Sequence, residues 1–236
     1  LTKSLFRPKR FITSITIITA SSLLASGYLI EQVPKAETDK VKIAAHRAGP
    51  PTAPENTIEA LNTTLKTDAE YAEIDVQLSL DSVVVVAHDL DLMRIANSPA
   101  RISESNFTKL QKIVRKADPK GTAQRNTLSK LDDFLKAARG RIQLMIELKK
   151  PNPTLINHTI NAIHQQEMAN ETVLISMNTK SLQRTSKEAP EIKTGYISAF
   201  SLWNVSQLPV KLLAINKRSV SNQLITNARQ NGLAIY

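Results

Sequence analysis

The chain has 236 residues, 42% of them hydrophobic and 22% charged, which bounds it to one or two globular domains and excludes disorder throughout. It has no cysteine, so disulfide scaffolds, thiolate metal sites and cysteine nucleophiles are excluded. The net charge of +10 is spread without a run of five like charges and aromatics are only 4%, so nucleic acid is not an expected partner, whereas anionic lipids or phosphorylated substrates fit a mildly basic surface.

Phe11 to Ile30 is a stretch of twenty residues without a charge, about the length that spans a bilayer core. Lys3, Arg7, Lys9 and Arg10 precede it, while its far side opens with Glu31 and has only Lys35 nearby. The positive-inside bias keeps the N-terminus in the cytoplasm and sends the rest of the chain outward. Thr13, Ser14, Thr16, Thr19, Ser21, Ser22 and Ser26 dilute the apolar run, so a signal peptide cleaved after Gly27 is the rival reading. The first reading anchors the protein in the cell membrane with its main domain on the extracytoplasmic side; the second secretes it. Residues 31–40 read as a polar linker. The expected layout is therefore a basic flank and membrane helix at 1–30, a linker at 31–40 and the main domain at 41–236.

Beyond the linker, short apolar runs alternate with stretches of helical period. Val41–Ala45 reads as a strand ending at His46-Arg47. Asn56 reads as the cap of a helix that carries Ile58, Leu61 and Leu65 on one face, with Glu59 completing a capping box. Tyr71–Leu78 and Val83–Ala87 read as strands, 107–116 and 128–138 as helices, and Arg141–Leu148 as a strand. Helices near 154–167 and 179–188 alternate with strands at Thr172–Ser176 and Lys193–Ile197. A strand at Lys211–Ile215 and a helix at 221–230 ending at Gly232 lead to a last apolar run, Leu233–Tyr236. Strands alternating with helices, about eight in all, predict a parallel sheet closed as a TIM-type (β/α)8 barrel.

Four of these strands end in ionisable residues: His46-Arg47, Glu73-Ile74-Asp75, His88-Asp89 and Glu147-Leu148-Lys149. Residues two apart on a strand share a side, so Glu73 and Asp75 point together, as do Glu147 and Lys149. A parallel barrel gathers its C-terminal strand ends on one rim, where such folds build active sites. Each piece alone has an ordinary explanation: a solvated Glu-x-Asp, a hydrogen-bonded strand-end histidine, a Glu147–Lys149 ion pair. Packing seldom chooses charges at four such ends together, because a buried charge is costly unless paired or metal-bound. His158 and His164 lie in a polar helical stretch and are assigned no role. Trp203 reads as a loop or rim aromatic.

The segments AHRAGPPTAPENTIEAL, YAEIDVQLSLD, VVVVAHD and LMIELKKP resemble the glycerophosphodiester phosphodiesterase domain. In order and approximate spacing they follow its His-Arg-Gly, Pro-Glu-Asn-Thr, Glu-x-Asp, His-Asp and Glu-x-Lys motifs over residues 41–151. The later KTGYISAF, LLAINKRSV and NARQNGLAIY are similar to the family's second half, and the charge-free segment resembles its membrane-anchored bacterial branch. The resemblance implies hydrolysis of a glycerophosphodiester to glycerol 3-phosphate and an alcohol. It implies His46 and His88 as an acid–base pair, and Glu73, Asp75 and Glu147 as ligands of a divalent cation. It also implies Arg47 and Lys149 as phosphate contacts and Glu55 as a residue that orients the site. Oxygen-only carboxylate donors suit Mg²⁺ or Ca²⁺ rather than zinc. The alternatives are a lysophospholipase D or sphingomyelinase D-like enzyme, and a non-catalytic phosphate- or lipid-binding domain; the last is expected to lose a histidine or an acid, and all are present. Three departures stand out. Ala48 separates Arg47 from Gly49 and is expected to reshape the phosphate turn. Ser82 replaces a glycine common after the acid of the second hairpin. The chain stops at Tyr236, where the family's last Trp-Thr-Val-like strand starts, so the barrel is expected to be cut short at its C-terminal end.

Overall fold

The computed structural model describes residues 42–117, 127–198, 205–206 and 208–236. The charge-free segment Phe11–Ile30, the linker and Trp203 lie outside the described residues. In chain order the elements begin with β1 (Ala44–Ala45), α1 (Ile58–Thr64), β2 (Tyr71–Leu78) and β3 (Val84–Val86). An inserted segment follows, with β4 (Asp91–Leu92), α2 (Met93–Ala96), β5 (Ser98–Arg101), α3 (Phe107–Ala117) and β6 (Ser129–Lys130). Then come α4 (Leu131–Ala138), β7 (Gln143–Leu148), α5 (Pro153–Gln165), β8 (Thr172–Ser176) and α6 (Thr179–Glu188). The chain closes with β9 (Lys193–Ser198), β10 (Leu212–Ile215), α7 (Asn222–Gln230) and β11 (Ala234–Ile235).

Strand β2 organises the sheet. It pairs in parallel with β1 on one side and with β7 on the other, where Asp75 lies opposite Glu147. The parallel ladder continues through β8, β9, β10 and β11. Seven of the nine strands in this sheet are thus parallel, as expected for strands joined through helices. The other two are corrections: β3 runs antiparallel to β2 rather than parallel, and β6, at the start of the stretch read as a helix over 128–138, is a short strand antiparallel to β3. The pattern Val83–Ala87 marks an extended run but carries no direction, and the turn at 79–82 is too short for a crossover to a parallel neighbour. Ser82 in that turn has a φ of 61°, where a glycine would sit freely.

Both faces of the sheet are covered, which is why β2 and β8 read as nearly continuous buried runs. On one face Ile74, Leu144, Ile146 and Leu174 pack against helices that present Leu61, Phe134, Ile156 and Ile160. Leu131, Phe134, Leu135 and Ala138 show why α4 is a helix: their spacing makes one apolar stripe. On the other face Tyr71, Met145, Val173, Ile175 and Leu212 pack together. There the ring of Tyr236, just after β11, meets the ring of Tyr71 on β2 edge to face at 5.5 Å. The sheet therefore curls until strands far apart in its order come into contact. Among the described residues no ladder joins β1 to β11. The inserted segment packs Leu92, Ile102, Phe107, Leu110 and Val114 against Val85 of β3. Among the described residues no helix is long and apolar enough to cross a membrane.

The first helix is capped differently from the expectation. Thr57 is its N-cap, accepting the Ala60 N–H at 3.1 Å, and Asn56 is held in the left-handed region with φ 56°. The side chain of Asn56 is used elsewhere, in the site.

Candidate active site

Glu73, Asp75 and Glu147 share the side of the sheet that Ile74 and Ile146 turn away from. Each offers a carboxylate oxygen, and the three oxygens lie within 4.8 Å of one another. Asp75 is 1% exposed and Glu73 8%. At that spacing each pair of charges repels by roughly 3–4 kcal/mol at an effective dielectric of about 20. Lys149 Nζ relieves part of this, at 2.9 Å from Glu147 Oε1 and 3.6 Å from Asp75 Oδ1. Burial opposes the charge on Lys149, but its bond to Glu147 prevails and raises its pKa. Burial and the neighbouring Asp75 push Glu73 up to about 8. The set is all oxygen, half to fully buried and over-supplied with negative charge, which fits a hard divalent cation.

Two turns bring the remaining groups to this rim. After β1 the chain reverses at Arg47 (φ 51°) and Ala48 (φ 69°), both left-handed. Such residues cost about 1–2 kcal/mol each relative to glycine, and local bonds hold them. The Arg47 N–H donates to Glu73 Oε2 at 2.8 Å, its carbonyl accepts the Asn56 N–H at 2.8 Å, and the Ala48 carbonyl accepts Thr64 Oγ1 at 2.7 Å. Ala48 thus adopts the glycine-like turn with its Cβ buried. The Arg47 side chain donates through Nη1 to Glu55 at 2.8 Å, while its buried Nε has no partner among the described residues. Asn56 grips Asp75 twice: its amide donates to Oδ2 at 2.9 Å, and its carbonyl accepts the Asp75 N–H at 3.1 Å. His46 stands exposed at the rim; partial burial and Arg47 lower its pKa, against an opposing pull from Asp75.

The second turn is the antiparallel return of β3. The Ala87 N–H donates to the Asp75 carbonyl at 2.9 Å, so the next residue, His88, arrives back at the level of the acids. Gln77 fixes this approach by donating to the carbonyls of Ala87 and Asp89 at 2.9 and 2.6 Å. His88 Nδ1 lies 2.7 Å from Asp89 Oδ1, an acceptor that makes Nδ1 the donor and leaves Nε2 free. Asp89 and Glu55 are both bonded to Arg94. A cleft of about 400 Å³ opens beside His88, Glu55, Asn56 and Arg94, floored by Val86, Ile95 and Leu128.

All the site residues expected from the sequence therefore meet on one rim: His46, Arg47, Glu55, Glu73, Asp75, His88, Glu147 and Lys149. His158 and His164 lie on α5, bonded to the Ser82 carbonyl and to Glu191. Asn56, Gln77 and Arg94 were missed as site residues. Asn56 had a local signal that pointed to a cap instead, and Gln77 shares the face of Glu73 and Asp75 at the two-residue period. Arg94 had no signal in the sequence.

A TIM-like α/β sheet carrying such a rim suits a phosphoric diester hydrolase. The chain belongs to the glycerophosphoryl diester phosphodiesterase family, whose pattern it matches over residues 46–236. It is 28% identical over 203 residues to YhdW of Bacillus subtilis, covering 82% of this chain and 84% of that protein. A crystal structure of glycerophosphodiester phosphodiesterase from Agrobacterium tumefaciens superposes with a TM-score of 0.70 at 25% identity, over 83% of this chain and 85% of that one. An Oleispira antarctica phosphodiesterase, solved with the product sn-glycerol-3-phosphate, shares the fold with a TM-score of 0.68 at 23% identity, over 83% of each chain.

Proposed function

We propose that this chain hydrolyses glycerophosphodiesters to glycerol 3-phosphate and an alcohol, with His46 and His88 as base and acid and a divalent cation on Glu73, Asp75 and Glu147. The observation that carries this reading is the convergence of three carboxylates on one rim beside the turn that carries Arg47. Bound Mg²⁺ or Ca²⁺ supplies Lewis-acid polarisation of a phosphoryl oxygen and neutralises the acids. Arg47 offers its partly exposed guanidinium to a phosphate oxygen, and Lys149 adds a compact positive charge. His46, kept neutral near pH 7 by its lowered pKa, takes the proton of the attacking hydroxyl as its oxygen bonds to phosphorus. His88, in its imidazolium form with Nδ1–H held by Asp89, delivers the Nε2 proton to the departing alkoxide as the phosphorus–oxygen bond breaks.

The test is release of glycerol 3-phosphate from glycerophosphocholine and glycerophosphoglycerol, with lysophosphatidylcholine and sphingomyelin in the same panel. Activity is expected on the first two, lost in EDTA and restored by Mg²⁺ or Ca²⁺. His46→Ala and His88→Ala should each lower kcat by about 10²–10⁴-fold, and His158→Ala should change little. Turnover that survives chelation and both active-site substitutions would remove the reading. Preference for the lysolipid or sphingomyelin would move the assignment to a lipid phosphodiesterase.

The charge asymmetry around Phe11–Ile30 supports a layout of membrane helix, linker and a hydrolase domain beginning near residue 41, with the domain on the extracytoplasmic side. Protease added to intact cells should digest the domain; full protection overturns this topology.

A further inference from the structure

Arg94 belongs to the inserted segment, yet its guanidinium reaches two parts of the site. Nη1 and Nη2 donate to Glu55 Oε2 and Oε1 at 2.7 and 2.6 Å, a bidentate pair between residues 39 apart in sequence. Nε donates to Asp89 Oδ2 at 2.6 Å. Each of these carboxylates holds one further group. Asp89 Oδ1 holds His88 Nδ1 at 2.7 Å, and Glu55 Oε2 holds Arg47 Nη1 at 2.8 Å. The result is a continuous chain of hydrogen bonds from His88 through Asp89, Arg94 and Glu55 to Arg47.

The Arg94 side chain is 47% exposed, and exposed ion pairs contribute little to stability. Three donors of one planar fork, shared between two carboxylates, instead fix orientation. With Oδ2 locked, the Asp89 carboxylate cannot rotate away from the His88 ring. With both oxygens of Glu55 engaged, Arg47 keeps its place beside the acids. A lysine cannot reproduce this, because one ammonium lacks the fork.

We infer that Arg94 is a positioning residue that holds the leaving-group acid His88 in register through Asp89, with Glu55 anchoring the other side of its guanidinium. The inference rests on the acid–base reading of the site. It makes Arg94 matter most when the departing oxygen needs a proton. An alkoxide such as choline's needs one; p-nitrophenolate does not.

The experiment compares glycerophosphocholine with the p-nitrophenyl ester of glycerol phosphate, using wild type, His88→Ala, Asp89→Asn, Arg94→Ala and Arg94→Lys. His88→Ala should lose kcat on the choline ester far more than on the nitrophenyl ester. Arg94→Ala should follow the same pattern, with kcat on the choline ester down about 10–100-fold and a far smaller change on the nitrophenyl ester. Asp89→Asn should share that selectivity, and Arg94→Lys should fail to restore turnover. Nitrogen-15 NMR of the His88 ring, at a pH high enough for the ring to be neutral, should show one Nδ1–H tautomer in wild type and a mixture in Arg94→Ala. If His88→Ala is leaving-group selective and Arg94→Ala is not, the positioning role is overturned while the acid–base reading stands. If His88→Ala loses both esters equally, the acid assignment fails and the inference falls with it. An equal loss on both esters in Arg94→Ala, with an unchanged His88 tautomer, marks a purely structural role and also overturns it.

Discussion

Asn56 is only 4% exposed, and both ends of its amide are taken by Asp75, one by the carboxylate and one by the backbone N–H. It also sits in the left-handed region, which asparagine tolerates better than other side chains with a Cβ. Replacing it by alanine removes both bonds and leaves two polar groups of Asp75 buried without partners. Such losses cost about 1–3 kcal/mol. Partners that orient metal-binding residues typically affect affinity by about 10–100-fold when removed. Asn56→Ala should therefore lower stability in denaturant unfolding and weaken Mg²⁺ binding in calorimetric titration by those amounts. Unchanged stability together with unchanged affinity would show that the Asn56–Asp75 pair is incidental.

At the scale of elements, the site depends on how closely the turn after β1 approaches α1. Gly49 is extended, so its backbone suits any residue; what requires glycine is contact. A Cβ there would stand 2.7 Å from Ala60 Cβ and 3.0 Å from the Ala60 carbonyl oxygen. Gly49→Ala must push α1 away from the turn that carries His46 and Arg47, and overpacking of this kind costs about 1–3 kcal/mol. Adding Ala60→Gly should recover part of that loss, although glycine in a helix costs about 1 kcal/mol by itself. A double-mutant cycle measured by thermal unfolding should show this favourable coupling; strict additivity would mean that the two elements do not press on each other. The same elements show what was legible in the sequence. Strands at Tyr71–Leu78 and Thr172–Ser176 and the helix at 179–188 were read with the bounds they have, because periodicity is a local property. Glu73 and Asp75 were readable as a pair for the same reason. The direction of β3 was not, since an apolar run looks alike either way round. Asn56 was misread because its local signal, a cap, competes with a partner 19 residues away. Arg94 meets Glu55 from 39 residues away, through a hairpin and short helix that no periodicity announced.

For the molecule as a whole, the sheet that makes the fold stable also keeps its acids together. The β2–β7 ladder puts Asp75 opposite Glu147, and backbone pairing on both strands prevents them from moving apart. The strain appears in Glu73, whose pKa is pushed by burial and by Asp75 from 4.5 up to about 8. A carboxyl raised in this way favours folding in its protonated form. Its contribution is fully present below the unfolded value of 4.5 and is lost as pH rises through about 8. His46, whose pKa is lowered, acts in the opposite direction, so the comparison must isolate Glu73. In EDTA, the Tm difference between wild type and Glu73→Gln should therefore move against wild type between about pH 5 and about pH 8.5. Metal reverses this, because a cation takes the place of the proton. Stabilisation by Mg²⁺ follows RT ln(1 + [L]/Kd), so it should be small near pH 5 and large above pH 8, with protons released on binding between those limits. Thermal melts over that range, with calorimetry in two buffers of different ionisation enthalpy, measure both effects. A Tm difference independent of pH, with no protons released on metal addition, would mean that Glu73 is already ionised in the folded protein and that the three acids need no cation to share the rim.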